Sequence, residues 1–146
     1  QYMSEKIWRP YGMEKDAVWM IDDRGQEAGG CCLSMTLKDY GRVGEFMRGG
    51  AMVGGKAVLP KGWIAVATTK QAETGQPGHG YGYQWWTNDD GTYDGLGIFG
   101  QRLYIDSARK LVIVVSSAWP EATTPVRGAK RDKLIKAVVE AVDAGK

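Results

Sequence analysis

Between Thr36 and Gly50 the apolar residues Leu37, Tyr40, Val43 and Met47 recur at helical spacing. They follow Thr36-Leu37-Lys38-Asp39, a helix-start signal with Asp in place of the usual Glu, and Gly49-Gly50 close the segment. The second strong helical pattern runs from Ala129 to Ala144, where Leu134, Ile135, Val138, Val139 and Val142 make one apolar stripe suited to covering a sheet. Two weaker helical pieces lie elsewhere in the chain. Tyr2 to Trp8 reads as the end of a helix broken by Pro10 and Gly12, and Pro60 at a first helical position opens a short helix through about Thr68, with Trp63 and Ile64 on its buried side.

Elsewhere the period shortens. Strands are expected at about Tyr81 to Thr87, Ile98 to Asp106 and Lys110 to Ser117, and the short connection from Asp106 to Lys110 makes the last two antiparallel. Leu103 and Ile105 share one face and Arg102 and Tyr104 the other, whereas Leu111 to Val115 is apolar on both faces and so reads as a central strand. Gly54-Gly55 between short apolar pieces predicts a small hairpin over Ala51 to Val58, and Asp22 to Gly30 and Gln71 to Gly80 read as loops. There is no internal repeat. The sum is an α+β fold, a mainly antiparallel sheet covered by helices, most simply one domain over residues 1–146.

Composition narrows the function classes. With 43% hydrophobic and 25% charged residues the chain can bury a core, which excludes disordered and fibrous classes. A formal charge of +2 with scattered Lys and Arg argues against a nucleic-acid partner. The longest apolar run, Leu111 to Val115, is too short to span a bilayer, so no membrane span is expected. The N-terminus shows no signal-peptide pattern, but it opens in what reads as the last turns of a helix, so a preceding leader stays open. Cys31 and Cys32 are adjacent. Neighbours rarely pair, and with a single His79 they make no zinc set, so they read as structural or incidental thiols that fit a reducing compartment; cytoplasm and periplasm both stay open, with the cytoplasm slightly favoured. No cofactor or metal is implied.

The candidate chemistry lies in Gly80-Tyr81-Gly82-Tyr83-Gln84-Trp85-Trp86 and in Asp94-Gly95-Leu96-Gly97-Ile98-Phe99-Gly100-Gln101. Glycines at a strand entry let bare backbone approach a substrate; their alternative role is a tight turn and close strand packing. Tyr81, Tyr83, Trp85 and Trp86, alternating along a strand, would send two rings to each face, either into a pocket or into the core. His79, in a loop without an evident carboxylate partner, reads as solvated. Ser107-Ala108-Arg109-Lys110 satisfies Ser-x-x-Lys in letters only. It falls in the expected hairpin turn, and a stand-alone hydrolase using Ser107 and Lys110 is a remote reading. No other nucleophile and base stand out, which suggests one half of an active site.

Three segments carry a family resemblance. They are Trp8-Arg9-Pro10-Tyr11-Gly12-Met13; Ala28-Gly29-Gly30-Cys31-Cys32-Leu33-Ser34-Met35-Thr36-Leu37-Lys38-Asp39-Tyr40; and Gly80 to Trp86 followed by Gly97 to Gln101. In order and spacing these resemble the C-terminal half of class C β-lactamase-like serine hydrolases. That family includes penicillin-binding DD-peptidases, family VIII esterases and 6-aminohexanoate-dimer hydrolases. The resemblance spans nearly the whole chain.

It implies a Ser-x-x-Lys nucleophile and a Tyr-x-Asn (or Tyr-x-Ser) base element, both lying N-terminal to Gln1 on a segment that would be this chain's partner. The family's Lys-Thr-Gly strand element would align with Gly95-Leu96-Gly97-Ile98, so Gly95 and Leu96 replace the lysine and threonine. The Ile98 N–H, next to Gly97, then becomes the second oxyanion donor. A register placing Ile98-Phe99-Gly100 on the motif is the alternative. Tyr83, Trp85, Trp86, Gly95, Leu96 and Phe99 become substrate-pocket candidates. Loss of the lysine shifts the expected substrate toward a small neutral ester or amide. The resemblance thus implies a serine hydrolase acting through an acyl-enzyme, with this chain inactive alone; the competing reading is a catalytically silent binding module of the same fold.

Overall fold

The structure, a computed structural model, describes residues 1–145. The chain opens on a helical segment, wound as a π-helix over Ser4–Trp8 and as an α-helix, α1, over Arg9–Tyr11. Gly12, at φ 82°, ends it. A small ribbon follows, β1 (Val18–Trp19) against β2 (Leu33–Ser34), with an added bridge from Ile21 to Glu27, the latter within the Asp22 to Gly30 segment expected to be loop. Next come α2 (Leu37–Arg48), the hairpin β3 (Met52–Val53) with β4 (Lys56–Ala57), and α3 (Trp63–Ala67). The main sheet uses β5 (Ala72–Glu73), β6 (His79–Tyr81), β7 (Trp86–Asn88), β8 (Tyr93–Leu96), β9 (Arg102–Asp106) and β10 (Leu111–Val115), and α4 (Pro125–Ala144) closes the chain. Those six strands form one antiparallel meander in the order β10-β9-β8-β7-β6-β5, so the α+β expectation holds.

The core lies between α2 and the sheet. Tyr93, Leu103 and Ile105 are buried there, with Val43, Met47, Trp85, Val112 and Val114 packed around them. Gly44 sets how near α2 can come, because a Cβ at that position would overlap Val112 and Leu103. The start of α2 is held as the sequence suggests. Thr36 caps it, its Oγ1 accepting from the Asp39 amide at 3.1 Å. Asp39 itself is fully buried and does more than cap. Its carboxylate accepts from the amides of Glu14 (2.8 Å) and Lys15 (3.1 Å), from the Thr36 hydroxyl (2.8 Å) and from the Arg42 guanidinium (2.9 Å). Burial pushes its pKa up, but these donors outweigh burial and hold the carboxyl below its ordinary value.

Several expectations are corrected. The strand foreseen over Tyr81 to Thr87 is two strands around a tight turn, in which the Gly82 amide donates to the Trp85 carbonyl and Gln84 sits at φ 66°. Gly82 lies against the Ala67 and Thr69 carbonyls, where a Cβ has no room, so the chain bends there and the expected alternation of rings is lost. The strand foreseen from Ile98 starts at Arg102, and β8 was missed before it. The Gln71 to Gly80 segment holds β5 and the start of β6. β10 is an edge strand of this sheet, half-buried along its length, with α2 packed against it. Gly62, at φ 80°, delays α3 to Trp63, which is 41% exposed rather than buried. The last helix starts at Pro125, and Ile135 is its buried residue while Leu134 faces out. Cys31 and Cys32 form a disulfide, which removes the free-thiol reading and the argument for a reducing compartment drawn from it. No helix is long and apolar enough to cross a membrane among the described residues.

Candidate active-site half

In an antiparallel meander alternate connections fall at the same end of the sheet. The β6–β7 turn over residues 82–85 and the β8–β9 connection over residues 97–101 therefore share one end. α3 joins them there, because the Tyr83 amide donates to the Ala67 carbonyl at 2.9 Å and Tyr83 stacks on Trp63 with ring centroids 5.5 Å apart. This end of the sheet presents Trp63, Val66, Tyr83, Leu96, Ile98 and Phe99, all exposed.

The turn after β8 is fixed from behind by backbone bonds. Its own i to i+3 bond runs from the Gly100 amide to the Gly97 carbonyl at 3.0 Å, and the Gly97 amide donates to the Gln101 carbonyl at 2.9 Å. The carbonyls of Ile98 and Phe99 accept from the amides of Thr123 (2.7 Å) and Trp119 (3.1 Å), on the segment leading to α4. The amides of Ile98 and Phe99 donate to no group among the described residues. A carbonyl held from behind and an amide left free in front make a preorganised donor, fit to hold a developing negative charge. None of the exposed side chains around it is a nucleophile paired with a base.

The structure thus brings Gly95, Leu96, Gly97, Ile98 and Phe99 together at one strand end, with Tyr83 at the same end of the sheet. Trp86 lies one strand away, edge-on to Tyr81 at 5.0 Å and paired in register with Asp94. Trp85 packs into the core, edge-on to Tyr93 at 5.1 Å. Ser107 to Lys110 is a turn, its Lys110 amide donating to the Ser107 carbonyl at 3.3 Å, as its position between two strands suggests. His79 is at the other end of the sheet. Its Nδ1 lies 2.7 Å from Asn88 Oδ1, and Asn88 Nδ2 donates to Thr92 (2.9 Å) and Asp94 (3.0 Å), so Nδ1 carries the proton.

Trp119 and the cations of α4 were missed by sequence reasoning. Arg102 forms a bidentate pair with Asp94 (2.6 and 3.1 Å) and reaches Asp132 at 2.7 Å, tying α4 to the sheet. Burial works against its charge, but Asp94 outweighs burial and holds the guanidinium pKa above its ordinary value. The only sequence signal was Arg102 facing away from the Leu103 and Ile105 side. Among the described residues no group of three or more His, Cys, Asp and Glu stands ready to hold a metal.

No protein-family model matches the chain. It is similar to a 6-aminohexanoate-dimer hydrolase of Paenarthrobacter ureafaciens, 29% identical over 97% of this chain and 39% of that protein. Its fold matches a solved structure of a provisionally assigned 6-aminohexanoate-dimer hydrolase from Bacillus anthracis. There the TM-score is 0.76 and the identity 28%, over 97% of this chain and 38% of the other. The chain therefore spans about two fifths of the length of these relatives, and the resemblance read from its motifs is borne out, since it fits the C-terminal portion of a β-lactamase-like enzyme.

Proposed function

We propose that this chain is the oxyanion-strand portion of a serine hydrolase that cleaves small esters or amides through an acyl-enzyme. In this reading a segment N-terminal to Gln1 carries Ser-x-x-Lys and Tyr-x-Asn. The serine oxygen attacks the substrate carbonyl carbon and its proton passes to the lysine and tyrosine; the carbonyl oxygen becomes an oxyanion between the serine amide and the Ile98 amide. Collapse expels the alcohol or amine, which takes up the proton, and water then releases the acid from the serine. Gly97 lets Gln101 pack close against the turn that carries Ile98, while Tyr83, Leu96 and Phe99 border the substrate, with Trp86 farther along the sheet. The observation that carries this reading is the unpartnered Ile98 amide in a turn fixed from behind, at an exposed apolar end of the sheet.

The test is a serine-reactive fluorophosphonate applied to the purified material, with intact masses of every polypeptide read under denaturing conditions. An adduct on a companion segment supports a hydrolase assembled from both parts. A companion present but unlabelled, or no companion and no adduct, favours a silent binding module and removes the enzymatic reading.

A further inference from the structure

The loop between β1 and β2 is held without a core of its own. No residue from Val18 to Ser34 is fully buried, so its shape rests on hydrogen bonds and on the Cys31–Cys32 disulfide. Near β1 the Asp22 carboxylate accepts from the amides of Arg24 and Gln26, both at 2.9 Å. Near β2 the loop folds back on Trp19. The Trp19 indole donates to the carbonyls of Ala28 (3.0 Å) and Cys31 (3.1 Å), the Met20 amide donates to the Cys32 carbonyl at 3.0 Å, and the Cys31 amide closes a turn on the Ala28 carbonyl at 3.3 Å.

The disulfide lies in this fold-back, and both of its cysteines are exposed. A bond between sequence neighbours closes a small ring through the peptide that joins them. In that ring Cys32 takes φ 76°, a region that L-residues with a Cβ seldom enter. With the bond open the ring no longer holds Cys32 there, and its backbone returns to negative φ, carrying the Cys31 carbonyl away from the Trp19 indole. The same bond closes almost no loop in the unfolded chain, so it adds little to global stability. The flanking structure is anchored separately, because the amides of Glu14 and Lys15 before β1 and the Thr36 hydroxyl after β2 all donate to Asp39. What the disulfide controls is therefore the loop alone.

We infer that Cys31–Cys32 is a thiol-exchange site that switches the β1–β2 loop between two conformations, its co-reactant a dithiol reductant. One thiolate of the reductant attacks a cysteine Sγ, the Sγ–Sγ bond breaks, and the other cysteine leaves as a thiolate. The second thiolate of the reductant then displaces the first cysteine from the mixed disulfide. The reductant is oxidised to its own disulfide, the two cysteines are reduced, and the protons it releases end on the cysteine thiols through solvent.

The test incubates the full chain with dithiothreitol without denaturant, traps free thiols with iodoacetamide and reads the intact mass, while NMR follows the indole N–H signals of Trp19 and Trp8. The pair is expected to open within about tenfold of its rate in the urea-unfolded chain, because access to an exposed sulfur limits exchange. A bond that opened only through global unfolding would lag by about a thousandfold or more. Opening is expected to shift the Trp19 signal and leave Trp8 in place, since the Trp8 indole donates to the Lys15 carbonyl at 2.8 Å, beside the Asp39 clamp. Oxidised glutathione should restore the starting spectrum. Cys31→Ser combined with Cys32→Ser should match the reduced chain, ignore dithiothreitol and keep the far-UV spectrum. Opening only on unfolding, a Trp19 signal unmoved by opening, movement of Trp8 along with Trp19, failure of the pair to reform, or a double variant that still answers the reductant overturns the inference.

Discussion

Gly100→Ala tests how the turn that presents the Ile98 amide is held. Gly100 sits at φ 92°, in a region L-residues avoid, and an alanine there costs about 1–2 kcal/mol from backbone strain alone. Its Cβ would also overlap the Trp119 indole, a rigid ring whose amide is fixed to Phe99 and whose face carries Arg131. Displacing such a ring costs about 1–3 kcal/mol more, so the total is about 2–5 kcal/mol. The two parts separate in a double-mutant cycle. In a Trp119→Ala background the overlap has no partner, and Gly100→Ala should cost only the strain, about 1–2 kcal/mol. Urea unfolding of the full chain, followed by far-UV circular dichroism, measures all four corners. Equal costs in both backgrounds, or a cost under about 1 kcal/mol in the parent, would refute the claim that Trp119 packs the turn from behind.

Four further outcomes are expected. Ile98→Pro places proline at the second position of the 97–100 turn, where its fixed φ is tolerated. Stability should hold within about 1 kcal/mol while the assembled hydrolase loses about 10²–10³ in kcat with its N–H donor. Asp39→Asn should cost about 2–3 kcal/mol by urea denaturation, because an amide NH₂ would face the backbone donors of Glu14 and Lys15. Since Asp39 is held below its ordinary value in the folded state, its contribution is present above the unfolded carboxylate pKa and is lost as pH falls below about 4, so the variant's stability should depend less on acid. Arg102→Met strands Asp94, whose side chain is 3% exposed, and should cost about 3–5 kcal/mol in thermal or urea unfolding; Asp132→Asn, at 54% exposed, should cost under about 1 kcal/mol. Ser107→Ala should leave fluorophosphonate labelling of the assembled enzyme unchanged, and loss of the adduct would restore Ser107 and Lys110 as a catalytic pair.

What the sequence revealed follows from how local each signal is. α2 was legible end to end because Thr36, the apolar spacing and Gly49-Gly50 all act within a few residues. The hairpin at Gly54-Gly55 and the β9–β10 pairing were legible for the same reason. The bend at Gly82 was not, because what forces it is the Ala67 carbonyl, fifteen residues earlier in the chain and close only once α3 is in place. β10 looked central because two apolar faces imply two covering layers, and the pattern says nothing about whether strands flank the edges. The aromatic run misled in the same way: Trp85 went to the core, while Tyr83 found Trp63, a ring the periodicity of α3 had assigned to the interior. At the candidate site, the glycine positions were legible and the devices that fix them were not. Trp119 and Thr123 reach the turn from twenty and twenty-five positions away.

On the proposed reading, that division accounts for how the strand motif could lose its side chains and keep its backbone donor. A lysine and a threonine at Gly95 and Leu96 would act through their own atoms, whereas the Ile98 amide is positioned by what binds its neighbours' carbonyls. Those bonds come from backbone amides of residues 119 and 123, which no substitution at 95 or 96 touches. The turn's geometry is therefore set by the path between β10 and α4, and that path depends on α4 staying docked. Only Ile135 of α4 is buried, so the helix leans on Arg102 with Asp132 and on Arg109 with Asp143 to stay in register. These pairs are partly exposed and screened by salt. Raising ionic strength should loosen α4 before the α2-covered core yields, and the Ile98 and Phe99 amides should lose their fixed orientation along with it. Hydrogen exchange read residue by residue in 0.05 M and 1 M salt would show this as faster exchange at Trp119 and Thr123 with protection in β9 unchanged. Parallel loss of protection in β9 would mean that α4 and the core open as one unit, and that the turn is no more adjustable than the sheet it follows.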